Sequence, residues 1–141
     1  MEKQDTICLL NDSFPPLIDG VANTVMNYAI ALKTMDLDPI VVTPAYREAN
    51  DQTFDYPIVR YPSIPAQIFE GYPAGIPFSP EVAARIKERN IRILHSHCPF
   101  MSTYMARQLR QITDAPIVFT YHTKFDIDIA HVTSHRSLQL A

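Results

Sequence analysis

Two apolar runs in this chain end in histidine. Residues 91–97 read Ile-Arg-Ile-Leu-His-Ser-His, and residues 116–123 read Pro-Ile-Val-Phe-Thr-Tyr-His-Thr. Between them Met105, Leu109 and Ile112 recur at helical spacing, which predicts a helix over residues 100–112. Strand, helix, strand with short connections is a crossover unit, and its two strands run parallel. Both histidine-bearing ends then emerge at one edge of a sheet. Ligand crevices of open α/β sheets form at that carboxyl edge. One feature therefore constrains the fold and proposes a site.

The rest of the chain repeats the alternation. Residues 6–10, Thr-Ile-Cys-Leu-Leu, are expected as a strand buried on both faces. Asn11-Asp12-Ser13 breaks it, and an irregular loop follows to Gly20. Val21, Val25, Tyr28, Ala29, Leu32 and Met35 then recur at helical spacing, predicting a helix to about Thr34. Residues 39–44 read as a second buried strand and residues 56–62 as a short third one. The stretch 62–80 is rich in proline, glycine and aromatics and keeps neither period, so no long element is assigned there. Ser79-Pro80-Glu81 is a helix start, with a capping hydroxyl, a proline in the first turn and an acid favoured by the dipole. That helix is expected to run to Asn90, with Val82, Ala83 and Ile86 inward. Strands over 91–96 and 116–121 complete the order β-α-β-β-loop-α-β-α-β. This is an α/β, Rossmann-like, doubly wound and mostly parallel sheet, expected as one domain over residues 1–141. A sheet of this type calls for a closing helix or further strands after the last one, so the chain is expected to continue in a longer parent.

Composition narrows the function classes. The 141 residues are 47% hydrophobic and 19% charged, as in an ordinary globular chain. A formal charge of −3 gives no electrostatic footprint for nucleic acid. The N-terminus, Met-Glu-Lys-Gln-Asp, does not resemble a secretory leader, and no apolar run reaches the roughly 18 residues of a membrane helix. Cys8 and Cys98 are expected as buried free thiols in a reducing cytoplasm.

Several groups could carry chemistry. Asp19-Gly20 precedes the first helix, whose free N–H groups and positive dipole end suit a phosphate or carboxylate. Gly20 fits two readings equally: close approach of the backbone to a ligand, or a tight turn that needs glycine. It is not part of G-x-G-x-x-G or a P-loop. His95 and His97 share a side of their strand by the period of 2, and His122 is expected beside them. Three converging imidazoles would suit zinc. A hydrogen-bonding role at the strand edge is the preferred reading, with His95 structural. No nucleophile elbow is present, and Asp126 and Asp128 lie on a segment that reads as a solvated helix start. Phe69, Tyr72 and Phe78 either wall an acceptor pocket, touch lipid, or form a small satellite core.

Three segments in register carry a resemblance: Phe14-Pro15-Pro16-Leu17-Ile18-Asp19-Gly20-Val21-Ala22, Ile93-Leu94-His95-Ser96-His97-Cys98-Pro99-Phe100, and Phe119-Thr120-Tyr121-His122-Thr123-Lys124-Phe125. Together they resemble the N-terminal half of a family 4 glycosyltransferase of GT-B architecture, and are similar to diacylglycerol glucosyltransferase-like members. The resemblance implies a retaining transferase that moves a sugar from a nucleotide-sugar donor to a lipid or saccharide hydroxyl, with no cofactor and no required metal. By position it implies that His122 is the active-site histidine, that Gly20 and Asp19 lie at the donor diphosphate, and that His97, Phe100 and Thr123 lie on the acceptor side. It also implies that a C-terminal donor-binding domain is absent, so the isolated chain is expected to be inactive. The expected location is cytoplasmic, with peripheral contact at the inner face of the membrane for a lipid acceptor. A non-catalytic Rossmann-like binding domain is the alternative, and a zinc hydrolase is third.

Overall fold

A computed structural model describes residues 2–69 and 72–122, with side chains described for all of these except 65–69. Thr123, Asp126 and Asp128 lie outside the described residues. Five strands form one parallel sheet: β1 (Asp5–Leu10), β2 (Asp38–Pro44), β3 (Ile58–Tyr61), β6 (Asn90–Ser96) and β7 (Ile117–Phe119). Their spatial order is β3-β2-β1-β6-β7. From β1 the chain builds outward to β3, then returns to the other side of β1 to lay down β6 and β7. The reversal falls between β1 and β6.

Alternation along β1 explains why both faces are covered. Cys8 and Leu10 join Ile40, Val42, Val59 and Leu94 beneath two helices, α2 (Pro80–Lys87) and α3 (Met101–Thr113). Val82 and Ile86 come from α2, and Met105, Ala106 and Leu109 from α3. Ile7 and Leu9 face the other way, joining Val41, Ile58 and Phe14 under Val25 and Ala29 of α1 (Gly20–Thr34). A parallel sheet leaves no strand face for water, so strands read as unbroken apolar runs. The doubly wound Rossmann-like arrangement expected from the sequence is the arrangement found.

Four expectations need correction. Met35 and Ile112 lie on exposed surface rather than on the inner helix faces. Tyr28 is only half covered, although its ring edge meets two histidines. The helix expected to reach Asn90 is α2, which ends at Lys87, and Asn90 opens β6. Most important, the stretch left without structure contains an antiparallel hairpin, β4 (Ser63–Phe69) and β5 (Tyr72–Gly75). Pro65 and Pro73 hid it. Proline is excluded from central strands but tolerated on edges, and a two-stranded ribbon consists of edges alone.

The hairpin docks through a glycine. A Cβ on Gly75 would meet the Tyr61 ring at 2.5 Å and Pro44 at 3.3 Å. Tyr61 is fully buried and has no room to yield. Gly75→Ala is therefore expected to lower stability by about 1–3 kcal/mol, the usual scale of overpacking. Urea denaturation of variant and parent checks it, and equal midpoints would contradict the packing described.

Candidate functional site

The loops that leave the carboxyl ends of β1, β2, β6 and β7 meet at the reversal point, and polar side chains lock them together. Asp12, just after β1, accepts hydrogen bonds from the backbone N–H of Met101 at 3.1 Å and of Ser102 at 2.7 Å, and from the Ser102 hydroxyl. Phe100 occupies the cap position of α3 and its side chain makes no capping bond, so a carboxylate from the far end of the sequence supplies the cap. Arg60 on β3 donates to Asp51 at 2.8 Å, to the Pro44 carbonyl at 3.0 Å and to the Pro15 carbonyl at 2.6 Å. Its guanidinium lies over the Phe14 and Tyr46 rings at 5.9 and 5.8 Å. The loop before α1 is thus pinned to the sheet.

Asp19 is the N-cap of α1. One carboxylate oxygen accepts from Ala22 N–H at 2.7 Å and from the Ser13 hydroxyl at 2.9 Å, and the other from the Tyr72 hydroxyl at 2.7 Å. Burial works to raise its pKa, but the hydrogen bonds from Ala22, Tyr72 and Ser13 outweigh it, and the net shift is downward. Asp19 thus builds the helix start. At Gly20 the backbone is not left-handed, and nothing lies within 4 Å of an added Cβ, so no turn requires glycine here.

The histidines form a stack. The His95 and His97 rings are 4.0 Å apart at 30°, and the His97 and His122 rings 5.3 Å apart at 24°. The Tyr28 ring meets His95 and His97 edge-on at 5.3 and 5.2 Å. His95 Nε2 lies 2.6 Å from Thr120 Oγ1, and His97 Nδ1 lies 3.0 Å from His122 Nε2. Near-parallel stacking does not aim three lone pairs at one point, and no metal-holding group of His, Cys, Asp or Glu occurs among the described residues. His97 is only 1% exposed, so it does not present itself to an acceptor as expected; it sits between the other two rings. Burial, reinforced by His95 and then His122, pushes its pKa down to about 3 and keeps it neutral. Burial also lowers that of His95, with His122 adding to it. His122 is half-buried and Phe100 is exposed.

A family profile described as Glycosyltransferase Family 4 matches residues 18–140. The chain belongs to glycosyltransferase family 4. It is 30% identical over 124 residues to a GDP-mannose-dependent alpha-mannosyltransferase of Corynebacterium glutamicum, across 83% of this chain and 29% of that relative. It is 22% identical over 116 residues to the sulfoquinovosyl transferase SQD2 of Arabidopsis thaliana, across 82% of this chain and 22% of that relative. The chain thus spans less than a third of the length of these curated relatives.

Sequence reasoning placed Gly20 and the histidines in this family 4 domain but missed Asp12, Ser13 and Tyr28. Asn11-Asp12-Ser13 was read as a strand terminator, and its capping chemistry was visible only as residue types, since the helix it caps lies 90 positions away at Ser102. Of the aromatic loop, Tyr72 is tied to Asp19 and Phe78 is exposed, which removes Phe78 from any satellite core; the Phe69 side chain lies outside the described ones. No helix among the described residues is long and apolar enough to cross a membrane.

Because the folded-state pKa of Asp19 lies below its unfolded value, the stability it contributes is complete above the unfolded carboxyl range and is lost as pH falls through the folded value. Asp19→Ala is expected to cost about 1–2 kcal/mol at neutral pH, with the gap to the parent closing in acid. Urea denaturation across pH checks this; a gap independent of pH would contradict the assignment.

Proposed function

We propose that this domain is the acceptor-side half of a retaining glycosyltransferase, which moves a hexose from a nucleoside-diphosphate donor to a hydroxyl of a lipid or saccharide. The observation that carries the reading is the placement of His122. It follows β7 at the carboxyl edge of the sheet, half-buried, with its Nε2 at 3.0 Å from His97 Nδ1, in the segment that carries the resemblance to the family's histidine motif. Support also comes from Gly20, where nothing lies within 4 Å of an added Cβ, so a diphosphate has room to approach the start of α1.

In this reading the bond from the anomeric carbon to the diphosphate oxygen breaks, one to the acceptor oxygen forms on the same face of the sugar, and the acceptor hydroxyl's proton passes to the departing diphosphate. Negative charge grows on the leaving oxygen, where aimed N–H groups stabilise it without water having to reorganise. The reading therefore assigns no step to a metal. His122 stands beside the transferred sugar, and Phe100 and Thr123 belong to the acceptor side. Exposed apolar side chains at Ile18, Ile64 and Phe78 favour a lipid acceptor and contact with the membrane surface.

His122→Ala in the full-length protein is expected to lower kcat for sugar transfer about 100-fold, with nucleotide affinity unchanged. Full activity in that variant would refute the reading and favour a non-catalytic binding domain. The isolated 141 residues are expected to give little or no transfer, because the matched region is under a third of each relative. A radiolabelled-sugar transfer assay checks both.

A further inference from the structure

The contact between His97 and His122 contains a proton whose position the surroundings decide. With 3.0 Å between Nδ1 of His97 and Nε2 of His122, one nitrogen donates and the other accepts. The other ring nitrogen of His97, Nε2, is buried and has no hydrogen-bond partner among the described residues. If the His97 proton sat there, a buried N–H would be orphaned. Proteins almost never leave a buried N–H unpaired, whereas an under-used acceptor lone pair is better tolerated. Placing a second proton on His97 is opposed by its burial and by its histidine neighbours. Its single proton therefore belongs on Nδ1, directed at His122.

We propose that His97 is a positioning residue: its Nδ1–H donates to Nε2 of His122 and fixes His122 as the tautomer that carries its proton on Nδ1. The partner of one imidazole nitrogen sets the state of the other. His97 is well placed to impose this, since its own backbone N–H is bonded to Leu10 O at 2.9 Å and its ring is held between His95 and the edge of Tyr28. His95 in turn is tied to Thr120, two residues before His122, so the whole stack fixes the exit of β7. With its lone pair engaged by His97, His122 has no free base nitrogen. It offers an N–H donor, which suits a sugar hydroxyl oxygen or a developing oxyanion and does not suit removal of the proton from an acceptor hydroxyl. The tautomer stands on the contact geometry and the burial of His97; its catalytic meaning rests on the reading of His122 as the group beside the transferred sugar.

The test is long-range proton–nitrogen correlation on the full chain labelled with nitrogen-15 histidine, which reports the tautomer of each ring. His122 is expected as a single tautomer protonated on Nδ1. His97→Phe, which keeps a ring and removes both nitrogens, is expected to give a mixture, and His97→Asn, whose amide nitrogen stands on Cγ as Nδ1 does, to restore the original state in part. In transfer assays kcat is expected to fall about 10- to 100-fold in His97→Phe, the scale seen when the partner orienting a functional imidazole is lost, with donor KM unchanged and with recovery in His97→Asn. A His122 proton on Nε2 in the parent, or the same tautomer ratio in parent and His97→Phe, overturns the proposal. Should His97→Phe fail to fold, the parent spectrum and His97→Asn decide it. If the tautomer results hold while His122→Ala retains full transfer, the positioning stands and the functional reading fails.

Discussion

Central strand β1 is hydrogen-bonded on both sides to strands that run in its own direction, and the rest of the molecule follows from this. Parallel pairing forces each connection to cross a face of the sheet, so helices cover both faces and the strands become apolar throughout. It also sends every strand's carboxyl end to the same edge. The order β3-β2-β1-β6-β7 puts the change of direction between β1 and β6. At such a boundary loops leave for opposite faces, which is where open α/β sheets bind ligands. His97 lies at this boundary, with its N–H on the last carbonyl of β1.

Two carboxylates organise the crevice. Asp12 closes the amino end of α3, and Asp19 that of α1. Each places a fixed negative charge where a helix dipole is positive, so the loops are held by charge-assisted hydrogen bonds rather than by apolar packing. Tyr72 brings the hairpin to Asp19, and Arg60 ties the loop before α1 to β2 and to the turn at Asp51. Against this anchored rim stand Gly20, with open space where a Cβ would sit, and the stacked rings of His95, His97 and His122.

Much of this was legible in residue order. Apolar runs at 6–10 and 39–44 gave two central strands because burial on both faces leaves no alternation, and Ile91, Ile93 and Leu94 marked a third despite the exposed Arg92. Alternation did predict that His95 and His97 share a face, and both rings indeed meet Tyr28. Depth was not legible. Period 2 says which side a histidine takes, and only the packing of α1 over that side shows that His97 is enclosed while His122 is not. The hairpin escaped because Pro65 and Pro73 argue against central strands and say little about a ribbon made of edges. Asp12 escaped because a cap on a helix 90 positions away leaves no local pattern.

The central claim is that sugar transfer takes place at the carboxyl edge of β1 and β6, with the diphosphate at the first turn of α1. A crystal structure of the full-length protein with a nucleotide sugar bound measures this most directly. The account predicts a diphosphate oxygen at about 3 Å from the Gly20 backbone nitrogen, and the sugar ring against His122. A diphosphate seated away from α1, with His122 facing only protein, would contradict it.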